Sequence, residues 1–334
     1  MSKKRICMVY TITALLVLAA ALLSLCWGSY EMSIRDVVEV LLGGGEKMQR
    51  TAVFGIRLPR VLLGMTVAAA LAVAGGILQT MTKNDLADPG IIGINAGGAV
   101  AAVIFIQMQT AAYYSELGAA SIFVLPFMAI CGSLAAALFI YLFSCRRGLR
   151  PRRLILVGIG VSAALNAFIT IFTFRGGVGD YNKILIWTTG SLWGAGWAYV
   201  KVLLPIVVLL LIYVFYKGRT MDAMNFLDAT AIGWGVPVER ERKKLLFAAV
   251  VLAGAATAFA GNIGFLGLLA PHIARKLVGA NHRRFLMVSA GVGMAILLFA
   301  DAVSRNLFSP IEIPAGITVS IFGVPYFIYL MLKE

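Results

Sequence analysis

The stretch "RLPRVLLGMTVAAALAVAGGILQTMTKN", residues 57–84, opens on two arginines, runs through 61–82 without a charge, and meets Lys83 at its far end. A helix needs about 20 mostly apolar residues to cross the hydrocarbon core of a bilayer, and this run supplies them. Comparable blocks recur near 7–28, 92–110, 120–144, 154–174, 199–217, 245–262, 264–278, 285–303 and 313–332. They are long and continuous, unlike the alternating segments of about ten residues that build a membrane β-barrel. The fold class expected is all-α: a polytopic membrane protein with ten transmembrane helices, counting 60–82, in one domain over 1–334.

Composition agrees. The chain is 60% hydrophobic and 13% charged, with a mean hydropathy of +0.91. A soluble domain of this length needs far more charge to cover its surface. The net charge of +14 would suggest nucleic-acid binding on a soluble protein. On a membrane protein it reflects cytoplasmic loops rich in Lys and Arg, and no nucleic-acid partner is expected. Cys7, Cys26, Cys131 and Cys145 fall in or beside apolar segments without paired spacing, so neither a disulfide framework nor a zinc site is indicated. The N-terminal apolar stretch of about 20 residues exceeds the core of a signal peptide and is read as an uncleaved first span.

Charge also sets orientation. With the N-terminus inside, internal segments hold 20 of the 29 cations and 7 of the 15 acids, a net +13 against +1 outside. Nine or eleven passes would break this asymmetry, so both termini are expected in the cytoplasm. Arg57, Arg60 and Arg305 then lie outside, against the prevailing bias. The external loop 29–59 contains "SIRDVVEVLLG" (33–43), where Ile34, Val37, Val38, Leu41 and Leu42 follow helical spacing and predict a short amphipathic helix. The longest internal segment, "KGRTMDAMNFLDATAIGWGVPVERERKK" (217–244), is too polar to span. Leu227, Ala231 and Trp234 are placed on one helical face there, ended by Gly233, Gly235 and Pro237, as a surface for a cytoplasmic partner.

Catalytic signatures are missing. No GxxxxGK[ST], HExxH or GxSxG occurs, and His272 and His282 are the only histidines. His272 is read as an interhelical or capping group. Ion-coupled transport needs ionisable residues deep in spans. Asp301 and Arg305, at i,i+4 near the outer end of the ninth span, are the nearest approach. Spans 66–80, 93–103 and 253–271 are rich in Gly and Ala, which lets helices approach closely. The polar Gln79, Asn84, Asn95, Asn166 and Asn262 in or beside them are expected to face a cavity or a partner helix.

The chain resembles the FecCD family, permease subunits of bacterial ABC importers for ferric siderophores, haem and cobalamin. The resemblance rests on "RLPR" (57–60), "GGILQTMTKNDLADPGIIGINAGG" (75–98), "GNIGFLGLLAPHIARKLVGANHRRFL" (261–286) and "EIPAGITVSIFGVPYFIYLML" (312–332). It implies two permease subunits, self or homologue, enclosing a path through the bacterial cytoplasmic membrane. A cytoplasmic ATPase homodimer would bind ATP and Mg, leaving this chain without a cofactor, and an external binding protein would deliver the substrate. By the same resemblance, Arg57, Arg60 and Arg305 match docking cations for that protein. The 217–244 segment, with Leu227, Asp228, Ala231, Gly233, Trp234 and Gly235, matches the ATPase-coupling element.

Gln79, Asn84, Leu86 and Asn166 are assigned to the path or its gate, with Asp85 standing where the family has proline. "CRRGLRPRR" (145–153) matches a second gate region. The overall look is nearest the ferric-siderophore branch of Gram-positive bacteria. Haem or cobalamin transport, and less readily an ion-coupled secondary transporter, are the alternatives.

Overall fold

The computed structural model describes residues 3–28, 30–108, 121–144, 151–175, 178–307 and 311–333. The described residues are helical and contain no strand. They form α1 (Lys3–Cys26), α2 (Ile34–Leu41), α3 (Lys47–Arg50), a π-helical stretch (Thr51–Arg57), α4 (Leu58–Thr82), α5 (Ile94–Met108), α6 (Ser121–Ser144) and α7 (Pro151–Arg175). These are followed by α8 (Val178–Thr189), α9 (Trp197–Tyr216), α10 (Gly218–Met224), α11 (Asp228–Gly233), α12 (Val238–Ala260), α13 (Leu266–Val278), α14 (His282–Asn306) and α15 (Ala315–Lys333).

Seven of the described helices are long and apolar enough to cross a membrane, with α5 and Ala315–Tyr329 shorter apolar pieces. The chain is a multi-pass membrane protein. Each expected apolar block carries a helix, and 245–278 divides into α12 and α13 where Gly261 (φ +70°) and Phe265 (φ +64°) turn the backbone out of the helical region. Among the helices not expected is α8. It lies within the segment read as an external loop, held because Trp187 O accepts from Asn262 N (3.2 Å) and Ala260 O from Ser191 N (2.8 Å). α12 starts at Val238 rather than near 245 because Glu239 and Glu241 in its first turn favour the positive end of the helix dipole.

α4 is the centre of the bundle and is buried over nearly its whole length. Small residues make this possible. A Cβ on Gly75 would overlap the carbonyl of Gly267 on α13, and one on Gly97 of α5 would overlap Gly132 on α6. The stripes of Gly and Ala are therefore contact lines between backbones. Large apolar side chains of α1, α6, α7 and α9 point outward instead, the pattern of helices bathed in lipid.

α2 starts with a capping box in which Ser33 and Asp36 satisfy each other's backbone N–H groups. It buries Val37 and Val40 and exposes Ile34, Val38 and Leu41. Ile34, Val37, Val38 and Leu41 lie on one face, as expected of an amphipathic helix, and that face is partly packed on the bundle and partly at the surface.

Candidate functional site

The two ends of α4 carry the charged groups. At the Arg57 end, Arg60 reaches across to α14. Its Nη2 is 2.9 Å from Asp301 Oδ1, its Nε lies 3.1–3.2 Å from both carboxylate oxygens, and its Nη1 is 3.1 Å from Glu312 Oε2. Asp301 is fully enclosed and Arg60 is 8% exposed, whereas the Glu312 side chain, just before α15, is 40% exposed.

Arg57, 5% exposed, donates from Nη1 to the carbonyls of Leu25 (2.5 Å) and Cys26 (3.2 Å), and from Nη2 to that of Tyr30. Arg305 donates from Nη2 to Ser24 O (3.0 Å) and Ser24 Oγ (2.9 Å), with its Nε 3.4 Å from Asp301 Oδ2. The last carbonyls of α1 have no helical partners of their own, and two guanidinium groups satisfy them at the negative end of its dipole. The three arginines expected as docking cations come together here, already engaged by the chain itself. The i,i+4 pair of Asp301 with Arg305 is secondary, since Asp301 gives both oxygens to Arg60.

At the other end, α10 and α11 form the segment between α9 and α12. Met221, Met224 and Ala231 are buried, while Leu227 and Trp234 are 74% and 59% exposed. The shared face expected for Leu227, Ala231 and Trp234 does not form. Leu227 is the extended N-cap residue of α11 (ψ 143°) and Trp234 its C-cap, so only the Ala231 side is helical and faces inward. Phe226 stacks edge-on to Trp234 with ring centroids 5.1 Å apart, giving an exposed aromatic knob. A Cβ on Gly233 would meet nothing within 4 Å, and Gly235 (φ +81°) makes the turn out of α11.

This segment is fastened to the end of α4. Lys83 Nζ donates to Phe226 O (2.9 Å) and lies 3.5 Å from Asp228 Oδ1, which also accepts from Arg242 Nη2 at 3.1 Å. Lys217 Nζ is 2.7 Å from Glu241 Oε2. Asp222 on α10 accepts from the ring Nδ1 (2.7 Å) and backbone N (2.8 Å) of His282, whose Nε2 is 2.8 Å from Thr80 Oγ1. Burial alone would raise the Asp222 carboxyl, but its bonds from His282, with Arg283 nearby, hold it below the ordinary carboxylate range.

The gate candidates divide. Gln79 is buried and donates to Leu268 O at 3.3 Å. Asn84 caps its own turn, its Oδ1 accepting from Leu86 N at 2.9 Å. Leu86 packs with Phe265, Leu268, Leu269, Tyr326 and Phe327. Asp85 faces Arg275 (3.5 Å), so the charge that replaces proline has a partner. Asn166 is exposed on α7. Asn95 Nδ2 on α5 donates to Asn262 Oδ1 at 3.0 Å, tying α5 to the turn between α12 and α13. His272 is buried edge-on to Tyr326. Of "CRRGLRPRR", residues 145–150 lie outside the described residues.

Sequence reading missed the long-range partners: Asp301 and Glu312 for Arg60, and Asp222 with Thr80 for His282. The only signal was that each pair sits at the same expected membrane end. Among the described residues, no group of three His, Cys, Asp or Glu could hold a metal ion. The site offers directed ion pairs at both ends of α4 and exposed apolar and aromatic side chains at the Lys83 end.

Comparison with known proteins bears on what these ends serve. Residues 15–333 match the model of the FecCD transport family. The chain is 43% identical over 325 residues to the Bacillus subtilis iron(3+)-hydroxamate import system permease protein FhuG, covering 97% of this chain and 96% of that one. It is 35% identical to the Bacillus subtilis iron-uptake system permease protein FeuC, with 97% of each chain covered. A solved structure described as an inward-facing metal-chelate type ABC transporter matches with a TM-score of 0.84 at 27% identity, over 98% of this chain and 99% of that one.

Proposed function

This chain belongs to the FecCD transport family, and we propose that it is one permease subunit of an ATP-driven importer of iron(III)–siderophore complexes, of the hydroxamate class. The observation that carries the substrate class is the end-to-end likeness to a ferric-hydroxamate permease. The chain crosses the bacterial cytoplasmic membrane ten times with both termini inside, and pairs with itself or a sister permease to enclose the path. ATP and Mg are bound by a cytoplasmic ATPase pair. The exposed Leu227 and the Phe226–Trp234 knob, on a segment fastened to α4, supply a rigid projection suited to a cleft in that ATPase.

An external binding protein delivers the substrate to the Arg57 end. Arg60, Arg57 and Arg305 mark the docking face, but their internal bonds change how docking works. Glu312 is the exposed member of the cluster, so an incoming carboxylate competes with it for Arg60 Nη1. Arg57 and Arg305 brace the end of α1 beneath. Charge pairs of this kind orient docking and speed encounter.

The test of substrate class is uptake of 55Fe-labelled ferric hydroxamate by cells with and without the gene. Loss of that uptake on deletion, with haem and cobalamin uptake intact, supports the reading. Unchanged hydroxamate uptake contradicts it.

A further inference from the structure

α4 and α14 lie antiparallel in one unbroken register. Thr80 meets His282, and a Cβ on Gly76 would touch Phe285 and Leu286. Ser289 Oγ donates to Ala72 O at 3.3 Å, and Gly293 sits against Ala68 and Ala72. Gly64 faces Leu298, and Arg60 closes on Asp301. Residues 60–80 and 282–301 each cover about 30 Å as helix, which matches the hydrocarbon thickness of a bilayer, also about 30 Å. The pair is thus cross-tied at both ends and close-packed between.

The tie at the His282 end involves a third element. Asp222 lies on α10, in the segment that carries Leu227 and Trp234 outward. A carboxylate only accepts, so the His282 Nδ1 donates to it. The backbone N–H of His282 donates to the same oxygen, and Asn281 Nδ2 lies 3.3 Å from the other. Capping the start of α14 would require the backbone bond alone. Here the imidazole, fully buried, continues the chain of bonds to Thr80 Oγ1, which itself lies 2.9 Å from Gly76 O. Asp222 therefore reaches α4 through His282.

We propose that Asp222, His282 and Thr80 are positioning residues forming the joint through which the ATPase-docking segment and the α4–α14 pair move as one body. Occupancy of the Arg60 end and the state of the ATPase are then sensed through the same two helices. The inference rests on the ATP-driven reading above. It adds a specific mechanical link, not an added binding site.

The test uses the whole complex, with its ATPase subunits and binding protein, in proteoliposomes supplied with 55Fe-labelled ferric hydroxamate. Thr80→Val removes only the hydroxyl from the joint, Thr80→Ser retains it, and Ser289→Ala removes a buried bond midway along the pair. Thr80→Val is expected to keep ATPase subunits bound and basal hydrolysis within about twofold. Stimulation of hydrolysis by loaded binding protein and uptake per ATP should each fall about tenfold, the scale of one buried hydrogen bond. Thr80→Ser should restore both, and Ser289→Ala should leave both unchanged.

A Thr80→Val complex with wild-type stimulation and uptake per ATP overturns the joint. So does one that loses transport only in proportion to lost ATPase subunits, since the bond would then serve assembly alone. Wild-type uptake that proceeds without ATP overturns the ATP-driven reading itself, which separates the two failures.

Discussion

Arg60 and Asp301, 241 residues apart in sequence, form a multiply hydrogen-bonded ion pair with both side chains buried. Removing one member of such a pair leaves the other as an uncompensated buried charge, which costs about 3–5 kcal/mol. Arg60→Ala is expected to lower the thermal unfolding midpoint of the detergent-purified chain strongly. The double variant Arg60→Met with Asp301→Leu should recover part of the loss, because the uncompensated buried carboxylate is then gone while Arg305 loses only its longer contact at 3.4 Å. Equal destabilisation by single and double variants would mean that the pair is not the source of the effect.

Glu312 competes with a docking carboxylate in this account. Glu312→Gln should leave stability within about 0.5 kcal/mol, as for an exposed surface change, and tighten binding-protein association several-fold at low salt. Surface plasmon resonance on the immobilised complex reads the affinity directly. Weaker docking would show that Glu312 itself contacts the partner.

At the opposite end, Leu227→Ala with Trp234→Ala removes exposed anchors without touching the buried side of α11. Interface anchors of this type are worth about 2 kcal/mol or more. Co-purification of ATPase subunits should drop by more than tenfold while the unfolding midpoint stays unchanged. Full retention of the ATPase would remove the segment from the interface.

Gly75 lies against the Gly267 backbone with no room for a side chain. Gly75→Ala should destabilise by at least 1–3 kcal/mol through overpacking. Gly264→Ala, where the added Cβ would meet nothing within 4 Å, should change stability little. Similar midpoints for the two variants would contradict close backbone contact between α4 and α13.

The α-helical class and the positions of the long helices were legible because apolar run length is a local signal, and a bilayer leaves few alternatives to helices. Crowding of α4 was legible in its glycines and alanines. The meaning of Arg57, Arg60 and Arg305 was only partly so. Their position at a membrane end follows from charge counting, but their partners do not. Asp301 and the carbonyls of α1 are brought to them by tertiary packing, and a lone arginine beside an apolar run looks the same whether it is free or enclosed. α8 escaped notice because "VGDYNKILIWTT" is short and of mixed polarity, and its position depends on bonds to Ala260 and Asn262. The face expected on 227–234 failed for a local reason: helical spacing has meaning only inside a helix, and α11 has six residues.

The most direct test of the central claim is uptake in proteoliposomes containing this chain with its partner permease, tested with and without the ATPase, external binding protein and internal ATP. The account predicts 55Fe-labelled ferric hydroxamate accumulation only when all are present, abolished by vanadate. Accumulation driven by a proton or sodium gradient with no ATPase in the membrane would contradict it.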